Sequence, residues 1–254
     1  EVDTRLAAIS RARGVRMLLR HGAGALSGGV LSALGHTQYA ITGNIAFAER
    51  LGQLALAVAV RNPDPVVSFR VYTLIKPFIE SRRGSVEPLR TCEQRLRECG
   101  MNEYAQYAAA WPCDLMFFLG APIAELRAEL QQAALSARNS QHYPIRVCEG
   151  ALELLREMTE PCVQPTPTLK IETWKTLSPL GKNIVGAMGL MVACIFGRYP
   201  EAVELAYELE GPMLRNGGGM PQWSDFLLYA GLAAGAHADE GGIRERLRRR
   251  RLLA

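Results

Sequence analysis

Asn183–Leu214 reads NIVGAMGLMVACIFGRYPEAVELAYELEGPML. Ile184, Val185, Met188, Val192 and Ile195 recur at the spacing of one helix face. Gly197-Arg198-Tyr199 interrupts that helix. Pro200 then falls in the first turn of a second one, where a missing N–H costs little. Tyr199, Ala202, Val203, Ala206, Leu209 and Met213 form the second apolar stripe, with Glu201, Glu204 and Glu208 directed away from it. Two helices joined this tightly must be antiparallel, and the pair is too small to bury both stripes by itself. It requires neighbours built the same way, which is the logic of a helical repeat array.

The rest of the chain supplies such neighbours. Leu6, Ile9, Val15 and Leu18 mark a helix ending near His21-Gly22, and a second runs from about Ala25 to Gly43. A third carries Phe47, Leu51, Leu54, Leu56 and Val58 and stops at Asn62-Pro63-Asp64-Pro65. From Val66 to about Arg83 the stripe is Val67, Val71, Leu74, Ile75 and Phe78, with Arg70, Thr73, Lys76 and Glu80 opposite and a kink expected at Pro77. Ser85 is placed to cap the next helix, whose stripe is Leu89, Cys92, Leu96 and Cys99. Gly100-Met101-Asn102 turns the chain into an aromatic-rich helix, from Tyr104 to Leu119, that Pro112 should bend. Gly120-Ala121-Pro122 leads into a clean amphipathic helix with Leu126 and Leu130. Another helix spans Ile145–Met158. Glu160–Pro179 is a proline-rich insertion with a short helical turn expected at Ile171–Leu177. After the central pair, Asn216-Gly217-Gly218-Gly219 is a stop. Pro221 opens a last helix through Trp223, Phe226, Leu227, Ala230 and Leu232. No period-two run of β-branched residues competes with this reading.

Tight junctions fall at Gly43, Gly84, Gly120 and Gly197, separated by 84 − 43 = 41, 120 − 84 = 36 and 197 − 120 = 77 residues. The last is about two repeats, so the period is near 38 residues, with one junction replaced by the insertion. The fold expected is all-α, a superhelical array of antiparallel helix pairs over residues 1–240, followed by an Arg-rich tail at 241–254.

Composition bounds the function. The 254 residues, 48% of them apolar, suffice for one array or two small domains. The chain opens on Glu1, as expected of a piece of something longer, and no secretory leader is expected. The longest nearly uncharged run, Asn183–Gly197, is too short to span a bilayer. Six cysteines lack any C-x-x-C pairing or metal spacing and read as reduced thiols of a cytoplasmic protein. The net charge of +4 is concentrated at one end. Gly242–Ala254 holds six arginines and one glutamate, +5, which leaves 4 − 5 = −1 for the remainder. No nucleic-acid partner, cofactor or metal is expected.

Catalytic signatures are missing. Gly181-Lys182 tempts as a phosphate loop, but Thr176 stands where the first glycine belongs and Asn183 where Ser or Thr belongs. H-E-x-x-H and G-x-S-x-G do not occur. His21, His36, His142 and His237 are scattered. Asp114, the one carboxylate within the aromatic-rich helix, reads as paired with an Arg or Lys, or as a contact for a cationic partner. Arg244–Arg251, including Arg248 and Arg249, is a candidate charged contact or a solvated helix end.

FGRYPEAVELAYEL (196–209) resembles the helix–turn–helix joint of tetratricopeptide repeats, with Gly197, Tyr199 and Ala202 at matching places. A series of segments extends the resemblance over roughly residues 25–240. In order they are TGNIAFAERLGQLALAV, SFRVYTLIKPFIESRRGSVEPL, RECGMNEYAQYAA, FFLGAPIAELRAEL, FGRYPEAVELA and WSDFLLYAGLAA. Together they resemble the degenerate tetratricopeptide-like region of large signalling kinases. Those are serine/threonine-kinase-like proteins and sensor histidine kinases with a central AAA-type ATPase of the STAND class. The tail after Glu240 departs from that pattern, which usually continues into further helices. The resemblance implies a non-catalytic regulatory and protein-interaction segment, contacting other domains of the same polypeptide or partner proteins. A free-standing adaptor that docks peptides is the other reading. Within either, Arg70, Thr73, Lys76 and Glu80 are the expected partner face.

Overall fold

The computed structural model describes residues 4–42, 44–75, 87–135, 143–160, 167–216 and 222–237. These are all-α: eleven α-helices and two 3₁₀ turns, with no strand among the described residues. The described residues fall into two compact units, one ending at Leu115 and the other starting at Met116.

In the first unit α1 (Thr4–His21), α2 (Ser27–Thr42), α3 (Ile45–Arg61) and α4 (Pro65–Ile75) share a core of Leu31, Ala55, Ala59, Val67 and Val71. The glycines of α2, which look like helix breakers in sequence, are its contact surface. A Cβ on Gly28 would lie 3.1 Å from the Ala55 carbonyl oxygen, and one on Gly35 would lie 3.2 Å from that of Ala48. Seven residues apart, they let α3 approach the α2 backbone. The helix starts are capped as their residue types require. The Asn44 side chain accepts from the Phe47 N–H at 3.0 Å, and Asp64 from the Val67 N–H at 2.8 Å. A second cluster joins Phe69 of α4 to Leu89, Cys92 and Leu96 of α5 (Glu87–Glu98) and to Ala105 and Ala108 of α6 (Asn102–Phe118). Helix α6 runs through Pro112 without interruption.

The second unit holds α7 (Ile123–Leu135), α8 (Tyr143–Thr159), α9 (Pro179–Ile195), α10 (Tyr199–Asn216) and α11 (Gln222–Ala236). Each of α7, α8 and α9 packs on the next, and α9, α10 and α11 all touch one another. Asn183–Leu190 is buried without a break, so α9 is enclosed by its neighbours. Its glycines admit them: Leu209 of α10 fills the space over Gly186, and Thr168 fills the space over Gly189.

In the insertion a 3₁₀ turn at Glu172–Thr176 falls within the short helical turn expected at Ile171–Leu177, a second 3₁₀ turn at Thr168–Lys170 precedes it, and Thr168, Ile171, Thr173, Trp174 and Leu177 are buried. The described part of the insertion is therefore core rather than a presented loop. Glu201, read as pointing away, turns inward instead. Its Oε1 accepts from the Thr168 N–H at 2.9 Å, and its Oε2 accepts from the Arg198 guanidinium at 2.9 Å. Glu204 and Glu208 are exposed as expected.

Of the four predicted glycine joints, Gly120 and Gly197 can be checked, while Gly43 and Gly84 lie outside the described residues. Both have positive φ, 72° and 69°. After α9 the Arg198 N–H donates to the Ala193 carbonyl at 2.8 Å and the Gly197 N–H to that of Cys194 at 3.1 Å. After α6 the Ala121 N–H reaches Met116 at 2.9 Å and the Gly120 N–H reaches Phe117 at 3.1 Å. This paired pattern is the Schellman stop, which a residue without Cβ accommodates best. Gly100, φ 72°, closes α5 in the same way. A Cβ on Gly197 would meet nothing within 4 Å, so the cost of substitution there is conformational alone. Gly197→Val should lower stability by about 1–2 kcal/mol. Urea melts would check it, and an unchanged midpoint would mean that the turn does not constrain the fold.

Candidate functional site

The expected partner face is resolved only in part. Arg70 is exposed on α4, its guanidinium 5.8 Å from the Tyr104 ring centroid and within 3.2 Å of the Tyr104 hydroxyl, to which it donates. It is tied to α6 while staying exposed. Thr73 falls on the α4 backbone, but its side chain, like Lys76, Glu80, Arg248 and Arg249, lies outside what the structure describes.

A different surface is better defined. Helix α11 is apolar all round: after Asp225, Phe226–Ala236 carries no charge. Such a helix needs cover on more than one side. One stripe, Phe226, Ala230, Ala233 and Ala234, is buried within the unit. The other, Leu227, Leu228 and Leu232, is about half exposed. Beside it the end of α9 contributes Ile195, also half exposed, and Cys194; the start of α10 contributes Tyr199. With Gly231 and Gly235 they line an open groove of about 720 Å³, and no charged side chain lines it. The placement follows from local rules. The Schellman stop at Gly197 ends α9 just past Ile195, and the Cys194 thiol fixes α11 by donating to the Tyr229 carbonyl at 3.4 Å. Burial pushes that thiol up to about 11, so it stays protonated at neutral pH and acts as a small apolar group.

Sequence spacing puts Ile195 in the apolar stripe of its helix and runs the last helix through Leu227 and Leu232, without singling out Leu228. The available signal was that α11 holds two apolar stripes where a surface helix has one.

Asp114 is the other unusual group. It is 4% exposed on α6, and its Oδ1 makes no hydrogen bond among the described residues. Burial pushes its carboxyl up to about 8, and no Arg or Lys pairs with it among the described residues. The five described cysteines carry free thiols. Among the described residues no three His, Cys, Asp or Glu side chains gather at metal-holding spacing, and no helix is long and apolar enough to cross a membrane. Compared with protein-family models, curated proteins and solved structures, the chain gives no match.

Proposed function

We propose that this chain is a non-catalytic regulatory and protein-interaction segment of a large ATPase-coupled signalling kinase. It is cytoplasmic and built as a tetratricopeptide-like array of antiparallel helix pairs. The observation that carries the reading is the uncharged groove between α11 and the α9–α10 turn. In an array each helix pair covers the apolar face of the one before it. The exposed stripe of α11 is a face of that kind, suited to an amphipathic helix from another domain of the same polypeptide. The glycine stops at Gly100, Gly120 and Gly197 support the repeat reading, because each ends a helix with the same backbone geometry. A free-standing adaptor would use the same groove for a partner's helix. Finding a nucleotide-binding domain encoded ahead of Glu1 would favour the kinase segment, and finding none would favour the adaptor.

The test pairs two measurements on Leu228→Asp with Leu232→Asp. Both leucines are exposed, so melting of the isolated chain should shift by no more than about 0.5 kcal/mol for each substitution. Autophosphorylation or reporter output of the full-length parent should change. A chain that unfolds would place the stripe in the core, and unaltered output would remove the groove from the relay.

A further inference from the structure

Helix α1 carries a surface of a different kind. Thr4–His21 contains five arginines and no acidic residue. Its inner side is fixed on the first unit. Val15 and Leu18 pack on the core, a Cβ on Gly14 would lie 2.9 Å from Val30, and the Arg11 guanidinium donates to the Thr37 hydroxyl. That docking turns the remaining side outward. Arg13, Arg16 and Arg20, spaced three and four apart, form one exposed ridge, and none of them has an ion-pair partner among the described residues. Leu6 and Met17, both 64% exposed, flank the ridge, and Ile9 continues it toward the start of the helix.

We infer that the outer face of α1 docks on an anionic lipid surface. Three unpaired arginines supply the charge complementarity. The interleaved aliphatic side chains decide between polyanions. On a nucleic acid Leu6, Ile9 and Met17 would stay in water, and the helix has no aromatic ring on which a base could stack. At a bilayer interface the same aliphatics enter the acyl boundary while the arginine stems bend their heads to the phosphates. The helix would lie on the surface, since with five arginines it is not apolar enough to cross. This contact is separate from the α11 groove and does not depend on it.

The experiment is co-sedimentation of the full chain with phosphatidylcholine–phosphatidylserine vesicles, against phosphatidylcholine alone. Binding is expected to the anionic vesicles only and to weaken as salt rises. R13Q/R16Q/R20Q should bind roughly a hundredfold more weakly, about fivefold for each arginine. L6S/M17S should also weaken binding while leaving duplex DNA retention unchanged. R248Q/R249Q/R250Q/R251Q, which removes tail charge, should bind as the parent does. Melting curves of all variants should coincide, because every substituted α1 side chain is exposed. The inference is overturned by failure to bind anionic vesicles. It is equally overturned if only the tail variant loses binding, or if L6S/M17S binds vesicles as well as the parent, which would mark a generic polyanion patch.

Discussion

Ala202→Arg is expected to destabilise the second unit by about 4 kcal/mol or more. Ala202 has no exposed surface and stands in the stripe of α10 with Leu205, Ala206 and Leu209, all within 1% of full burial. An arginine there must either leave its guanidinium in an apolar contact with no partner or push α10 off its neighbours. Each buried leucine that loses cover forfeits a further about 1.5–3 kcal/mol. Glu204→Arg, two residues on, is the control. It reverses a charge but starts from an exposed side chain, so it should move stability by no more than about 0.5 kcal/mol. Far-UV circular dichroism in urea reads both. Equal midpoints for the two variants would mean that the buried stripe of α10 is misplaced.

The second large effect is in pH. Asp114 is buried, and its carboxyl is raised from 3.8 to about 8 by desolvation. Between those values the folded protein holds a proton that the unfolded chain has lost. Stability therefore falls as pH rises through the window, by up to about 1.4 kcal/mol for each pH unit. Below 3.8 both states are protonated and the group contributes nothing; above about 8 the full cost is felt. Asp114→Asn keeps the shape and removes the ionisation. Its melting temperature should vary less than the parent's between pH 4 and 8 and exceed it at pH 8, with a gain on the order of several kcal/mol. Parallel melting profiles for parent and variant over that range would show that Asp114 ionises in the fold as it does in water.

Helix existence was readable because the apolar spacing in this chain is 3.6 nearly everywhere and the glycine stops are strong. The described helices lie close to their expected spans, except that the helix expected over Val66 to about Arg83 is described only to Ile75, with the expected kink at Pro77 and cap at Ser85 outside the described residues; Gly120 and Gly197 adopt the left-handed geometry that a tight stop requires. Side-chain placement was less readable, for two reasons. Leu54, Ile195, Leu227 and Leu232 all sit at helix-face spacing, yet about half of each is exposed. Spacing reports that a face is apolar and not whether the fold covers it. Glu201 and Thr168 are 33 residues apart, and no local pattern announces that one will receive the other's backbone N–H. The groove beside α11 was hidden by the same ambiguity, since two apolar stripes on one short helix look like a single buried helix. The ridge on α1 was hidden by arithmetic: a net charge summed over the whole body averages its arginines against acids elsewhere.

The enclosure of α9 also bears on how the chain is made. Its surface from Asn183 to Leu190 is covered in part by α10 and α11, which leave the ribosome after it. At about 5–20 residues per second, the 236 − 195 = 41 residues that complete those helices take roughly 2–8 s to synthesise. For that interval a strongly apolar helix has only α8 and the buried 3₁₀ turns to lean on. Until α10 and α11 have emerged, part of that apolar surface stays open to water.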